Sequence, residues 1–230
     1  MKKSLFLLLA VIISSHSFAQ KGKWQKLTDG KSFKNWHMYN HPGEPISGKW
    51  KVENKAFVFD PNGSSEWKTN DLVTDKEYEN FEMVLEWKIE KGGNSGIFYG
   101  VKEDKSLRTP YISGPEIQVL DDENHPDAKK GKNGNRKAGS LYDMIPSASK
   151  AKPFDNWNKV KIIKKDGILT VFQNGELAVS YATAGEKWDS MVADSKFKGW
   201  EHFGKYSKGK IGLQDHGNVV AFRKIKIREL

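Results

Sequence analysis

The 230-residue chain has no cysteine. Disulfides are therefore excluded, and so is a lipid-bearing cysteine at a leader cleavage site. After the first thirteen positions no apolar run approaches the roughly 20 residues that a membrane-crossing helix needs. Internal repeats at propeller or solenoid periods are missing, as is any Pro-, Gly- or Ser-rich linker that would split the chain. Helical periodicity is nearly absent; the one short helix expected lies at about residues 189–198, capped by Asp189 or Ser190. The 38 basic and 29 acidic residues give a formal net charge of +9. The densest basic stretch, Lys129 to Lys137 ("KKGKNGNRK"), has no interleaved aromatics, so it reads as a solvated loop rather than a nucleic-acid footprint.

The first residues, "MKKSLFLLLAVIISSHSFAQ", combine a basic start (Lys2, Lys3), an apolar stretch from Leu5 to about Ile13 and small residues near Ala19. That is the pattern of a secretory signal peptide over residues 1–19. Its removal predicts one domain over residues 20–230, periplasmic or secreted, with no membrane span. The remaining chain, about 210 residues, is long enough to bury a core without covalent staples.

What fills the chain is a succession of strands and tight turns. Asn174-Gly175 separates "DGILTVFQ" from "ELAVSY" and is a type I′ hairpin signal. Asp166-Gly167 and Asn54-Lys55 mark two more hairpins. In "FEMVLEWKIE", Met83, Leu85, Trp87 and Ile89 face one way, while Glu82, Glu86 and Lys88 face the other. "SGIFYGV", "EIQVL", "KIGLQD" and "VVAFRKIKIREL" add further strands. Ten or more strands without a βαβ rhythm predict an all-β sandwich of two antiparallel sheets, of jelly-roll type, with one or two short helices. Most of the eight tryptophans are expected to pack the core or its edges.

Four segments place polar side chains where a strand would face solvent. Ser95 and Tyr99 share a face of "GGNSGIFYG"; Glu116 and Gln118 share one in "EIQVLD". Tyr142 stands out in "GSLYDM", and Gln214 and His216 share a face of "IGLQDHG". Carboxylate, amide, phenol and imidazole are the groups that bond sugar hydroxyls. After Leu120, the stretch "DDENHPDA" crowds Asp121, Asp122, Glu123, Asn124, His125 and Asp127 around Pro126.

The segments "LTDGKSFKNW", "EYENFEMVLEWKIEKGGNSGIFYG", "PEIQVLDDENHPDA", "RKAGSLYDMIP", "WNKVKIIKKDGILTVFQNGELAVSY" and "KGKIGLQDHGNVVAFRKIKIREL" resemble the 3-keto-disaccharide hydrolase domain family. This family, formerly a domain of unknown function, is found in exported proteins of Bacteroides-type bacteria. The resemblance runs from about Trp24 to Leu230. It implies a concanavalin-like (laminin G-like) jelly roll and hydrolytic action on a small carbohydrate. It also implies a site drawn from Asn94, Ser95, Glu116, Gln118, Asp121, His125, Asp127, Arg136, Tyr142, Gln214, Asp215 and His216.

The chemistry implied differs from that of an ordinary glycosidase. A carbonyl at C3 of a sugar acidifies the C2 proton; its removal gives an enolate that expels the C1 substituent, and water then adds to the enone. This route needs a base titrating near neutral pH, a group that stabilises the enolate and an acid for the leaving oxygen. His125 is the first candidate base; Glu116 is the second, if its pocket raises its pKa. His216, Gln214 or Tyr142 would stabilise or protonate oxygen, with Asn94, Ser95, Tyr99, Asp121 and Arg136 binding substrate. No cofactor is required by the pattern. A divalent cation is the one that the residues could hold, on some of Glu116, Asp121, Asp122 and His125, or as structural calcium in the "DDEN" turn. Two rival readings stand beside this: a non-catalytic carbohydrate-binding module, and a conventional glycosidase using a carboxylate pair.

Overall fold

The structure, a computed structural model, describes residues 22–230; the expected leader lies outside these residues. They form thirteen strands: β1 (Gln25–Lys26), β2 (Trp36–Met38), β3 (Trp50–Glu53), β4 (Ala56–Phe59), β5 (Leu72–Thr74), β6 (Phe81–Ile89), β7 (Asn94–Val101), β8 (Glu116–Leu120), β9 (Asn158–Lys165), β10 (Ile168–Gln173), β11 (Glu176–Ala182), β12 (Lys210–Leu213) and β13 (Val220–Glu229). An eight-stranded antiparallel sheet has the order β11-β10-β9-β6-β13-β4-β3, with β1 added on β13. A five-stranded antiparallel sheet has the order β2-β5-β12-β7-β8. This is the all-β sandwich expected from the hairpin rhythm.

The three predicted hairpins form for the reason given by their turn residues. Asn174 and Gly175 both have positive φ, as do Asp166 and Gly167, and Asn54 and Lys55. Two consecutive left-handed residues give the turn a twist that matches the flanking strands. Strand β6 shows the half-buried alternation: Phe81, Met83, Leu85, Trp87 and Ile89 are buried, and the residues between them are half-exposed. The buried set meets Ile97, Tyr99, Ile117, Val119, Ile211 and Leu213 from the smaller sheet, forming the core between the layers.

The helix is displaced from its expected position. Helix α1 spans Glu186–Ala193, with Gly185 rather than Asp189 or Ser190 at its N-cap. Trp188 anchors it, 2% exposed and stacked between Tyr181 and Phe203. The expected helical stretch from residue 194 onward is instead a looped aromatic segment in which Phe197 lies 3.8 Å from Phe203, ring to ring. Aromatic packing overrides local propensity there.

The two sheets have different outer faces. On the larger one, Glu82 pairs with Arg228, and Glu86 with Arg223 (2.7 Å) and Lys224 (2.9 Å), across β6 and β13. On the smaller one, every residue of β7 and β8 is buried. A strand without exposed positions is covered on both sides, and the material over the outer side of β7 and β8 builds the pocket.

Candidate active site

Register places the polar residues. Gly96 on β7 pairs with Gln118 on β8, and Phe98 with Glu116. Gly212 on β12 pairs with Phe98, and the Gln214 amide donates to the Gly96 carbonyl at 2.9 Å. Residues opposite each other in an antiparallel pair share a face. Gln214, just past the end of β12, therefore continues the row of Gly96 and Gln118, and Glu116 sits one step away on the same outer face. A Cβ on residue 96 would collide with Glu116 Oε1, so the glycine is what allows the carboxylate to lie across β7.

These residues line a pocket of about 270 Å³. Its sheet side carries Asn94, Glu116, Gln118, Gln214 and His216, and Tyr142 also lines it. The opposite wall is aromatic and basic: Tyr111, Lys196, Phe197, Trp200 and Phe203. Glu116 is 8% exposed. Burial pushes its carboxyl up to about 8; the Lys196 ammonium opposes this and the Asp127 charge adds to it. Around it, Asn94 Oδ1, Gln118 Oε1 and Gln214 Oε1 are buried without a hydrogen-bond partner. An orphaned buried acceptor costs about 1–3 kcal/mol, and three facing one cavity are acceptors awaiting hydroxyl donors. The Gln118 amide nitrogen donates to the Arg136 carbonyl at 3.3 Å, which fixes which end of that side chain faces the pocket.

The rest of the polar set forms the support. Tyr142 donates to Asp127 Oδ2 at 2.8 Å, and Arg136 bridges Asp127 Oδ1 (3.1 Å) and Asp143 Oδ1 (2.6 Å). Burial alone would raise the Asp127 carboxyl, but the bonds from Tyr142 and Arg136 outweigh it and hold the group below the usual carboxylate range. Burial pushes the Tyr142 phenol well up, and its bond to Asp127 adds to the effect. Lys196 Nζ lies 4.1 Å from the centre of the Tyr142 ring. Partial desolvation there lowers its pKa.

Several expectations need correction. Ser95 and Tyr99 do share a face, but it is the core face: Ser95 Oγ donates to the Gln214 carbonyl at 2.8 Å, and the Tyr99 hydroxyl accepts from Tyr181 of the opposite sheet at 3.1 Å. Asp121 is turned into its own loop, accepting from the Gly92 amide (2.7 Å), Asn124 (2.7 Å) and the Glu123 amide (3.2 Å). Asp215 accepts from the Asn70 amide and also serves the backbone. Arg136 braces the pocket from behind and is not part of its wall. Asp122 accepts from the Ala138 amide at 2.8 Å. Glu116, Asp121, Asp122 and His125 thus point to separate partners, and among the described residues no three His, Asp or Glu side chains converge as metal ligands.

His125 is not one of the pocket-lining residues; it lies beside one of them, 6.4 Å from His216, ring centre to ring centre. It caps the 3₁₀ turn Pro126–Lys129, where its Nδ1 accepts from the Asp127 amide at 3.1 Å. A neutral imidazole that accepts at Nδ1 carries its proton on Nε2. Burial lowers its pKa, helped by the charges of His216 and Lys130 and opposed by Asp127. His125 is therefore a neutral Nε2–H donor, whereas Glu116 is a carboxyl titrating near neutrality.

Sequence reading missed Lys196, Tyr111, Phe197, Trp200 and Phe203. They lie on irregular segments where strand parity has no meaning. The one available signal was the aromatic density of "FKGWEHFGKY", residues 197–206, in a stretch with no strand to place it in the core.

Among the described residues no helix is long and apolar enough to cross a membrane. Comparison with solved structures finds a protein of Parabacteroides distasonis provisionally named a glycosyl hydrolase, 33% identical, covering 90% of this chain and 94% of its own, with a TM-score of 0.80. A Bacillus subtilis protein with a galectin-like fold, only 13% identical, matches over 91% of this chain and 96% of its own at a TM-score of 0.57, which speaks for the fold alone. Among curated proteins, a 3-keto-disaccharide hydrolase of Bacteroides thetaiotaomicron is 41% identical over 88% of this chain and 77% of its own length. With that relative and a match of residues 23–228 to its family model, the chain belongs to the family described as the 3-keto-alpha-glucoside-1,2-lyase-like domain.

Proposed function

We propose that this carbohydrate-active hydrolase cleaves 3-keto glycosides by elimination and hydration, with Glu116 as the base. The observation that carries the reading is Glu116 itself: a buried carboxyl, pushed up to about 8, surrounded by amide oxygens with no partner of their own. A base is most effective when its pKa lies near the working pH. Glu116 takes the C2 proton, and the electron pair of the C–H bond moves toward the C3 carbonyl, forming the enolate. In this reading the Lys196 ammonium on the pocket wall, and the Nε2–H of His125 from beside His216, are the donors that stabilise oxygen. Collapse of the enolate breaks the C1–O bond, and the leaving oxygen takes the proton that Glu116 had abstracted, which returns the carboxylate. Water then adds across the C1–C2 double bond of the enone to complete hydrolysis. Asn94, Gln118 and Gln214 accept hydrogen bonds from the ring hydroxyls.

A conventional glycosidase needs two carboxylates flanking the anomeric carbon. The pocket wall carries one, Glu116; Asp121 faces its own loop. A pure binding module would not need a buried acid tuned to neutrality. The test is sugar release from a 3-keto disaccharide and from its unoxidised parent, with and without chelator. Cleavage of the keto sugar and not of the parent is the expected result. Equal cleavage of both would point to an ordinary glycosidase, and binding without turnover to a binding module. Loss of activity with chelator would require a metal step in place of the donors named here.

A further inference from the structure

The pocket has two unlike sides. The sheet contributes hydrogen-bond acceptors around Glu116, while Tyr111, Phe197, Trp200 and Phe203 form a wall of rings. About 270 Å³ falls at or below the small end of ordinary ligand sites. A sugar ring held by the amide oxygens fills most of it, and whatever is attached at C1 must extend toward the mouth.

Tyr111 stands at that mouth. It is 41% exposed, one of four large exposed hydrophobic side chains among the described residues; Trp24, Ile168 and Leu177 all lie on or beside the larger sheet. An exposed ring beside a polar pocket marks a contact surface more often than an accident of packing. Its position is also built. Tyr111 is the middle residue of a 3₁₀ turn, Pro110–Ile112, held by the Ile112 amide donating to the Thr109 carbonyl and the Ser113 amide to the Pro110 carbonyl, both at 3.2 Å, with the Gly114 amide also donating to Pro110 at 2.8 Å. The Gly204 amide donates to the Ser113 carbonyl at 2.8 Å, tying this turn to the aromatic segment. A Cβ on Gly114 would lie 2.6 Å from Val101 Cγ2, so the glycine lets the turn seat against β7. Tyr111 and Trp200 lie 6.2 Å apart at 41°, and Trp200 is held edge-on by Phe197 at 5.3 Å.

Resting on the elimination reading above, we propose that Tyr111 and Trp200 form the leaving-group subsite and select glycosides whose leaving group carries a ring with a C–H face. The rings offer flat, polarisable surface and no charge, so they discriminate by shape and stacking. A small alkyl leaving group would reach neither. A ring, whether a second pyranose or a simple carbocycle, would lie against both.

The experiment compares methyl, cyclohexyl and glucosyl 3-keto-glucosides of one anomeric configuration. Methanol and cyclohexanol are similar leaving groups, so their difference reports the ring contact. In the wild type, kcat/KM for the ring-bearing substrates should exceed that for the methyl compound. In Tyr111→Ala and in Trp200→Leu, the cyclohexyl-to-methyl ratio should fall about tenfold, the size of one lost aromatic contact. Tyr111 is exposed, so its truncation should leave the melting temperature unchanged and separates binding from folding. A ratio near one in the wild type, or a ratio unchanged in both variants, overturns the subsite. If no 3-keto substrate is turned over, the elimination reading falls. The subsite is then judged by calorimetric affinity for unreactive cyclohexyl glucoside: about tenfold weaker in Tyr111→Ala supports it, and equal affinity overturns it.

Discussion

On the outer face of the larger sheet, Glu86 meets Arg223 at 2.7 Å and Lys224 at 2.9 Å. Burial would raise its carboxyl, but the two cations outweigh that and hold it below the usual range. On the outer face of the smaller sheet, Glu116 has no ion-pair partner among the described residues, lies under a wall of rings and is pushed up to about 8. Both residues are glutamates at outward positions of strands in antiparallel sheets. One is neutralised by its neighbours and serves the fold; the other is left uncompensated, at a cost to stability. The contrast lies in what covers the sheet: side-chain ladders in water over β6 and β13, loops and aromatics over β7 and β8.

The largest break in that comparison comes from Glu116→Gln. Turnover of a 3-keto glycoside should fall by about 10²–10⁴-fold, the usual range for losing a general base, in a protein that still folds. In the wild type, kcat/KM should rise with pH and level off near the value of about 8 at which Glu116 loses its proton. Stability should move the opposite way. The folded carboxyl holds its proton more tightly than the unfolded one. Its contribution is therefore present in full below the ordinary value of 4.5 and is lost as pH rises through about 8. Melting temperature should decline between about pH 5 and pH 8 in the wild type, and less steeply in Glu116→Gln, which cannot titrate. Parallel declines would mean that Glu116 is not the uncompensated group.

A smaller effect is expected at Gly96, where the added methyl of Gly96→Ala meets Glu116 Oε1. Displacement of the base by about 1 Å should cost about 10²-fold in kcat/KM, with about 1–3 kcal/mol of stability lost to overpacking. Denaturant melts and kinetics on one preparation would separate the two effects, and full activity would show that the carboxylate need not lie over β7. The smallest effect belongs to the larger sheet. Glu86→Gln should change stability by about 1 kcal/mol or less and leave turnover unchanged. A loss of activity there would erase the distinction between the faces.

The same contrast explains which parts of the molecule could be read in the chain. In β6 the alternation of Met83, Leu85 and Trp87 with Glu82, Glu86 and Lys88 identifies the core face, because the other face meets water and its ions. In β8, Glu116 and Gln118 against Ile117 and Val119 orient the strand by the same contrast. In β7 the contrast is missing. All eight of its residues are buried, no charge marks either face, and parity grouped Ser95 with Tyr99 without revealing that theirs is the core side. His125 was singled out by its setting among acids; that its Nδ1 is taken by the Asp127 amide belongs to a backbone turn and could not be read from that setting.

The sequence by itself determined the sandwich. Type I′ turns at Asn174-Gly175, Asp166-Gly167 and Asn54-Lys55 fix hairpins through local backbone geometry, and two-residue alternation fixes which side of a half-buried strand is apolar. It also determined that Glu116 and Gln118 share the outward face of β8, and that Gln214 and His216 share a parity just past the end of β12. Tertiary structure alone decided that these four meet in one pocket, because the register between β7 and β12 depends on pairing across more than a hundred residues. It also decided that Lys196 and the rings of Tyr111 and Trp200 line the same pocket, and that burial pushes the Glu116 carboxyl up to about 8. Burial is a property of everything packed around a side chain, and no local pattern of residues carries it.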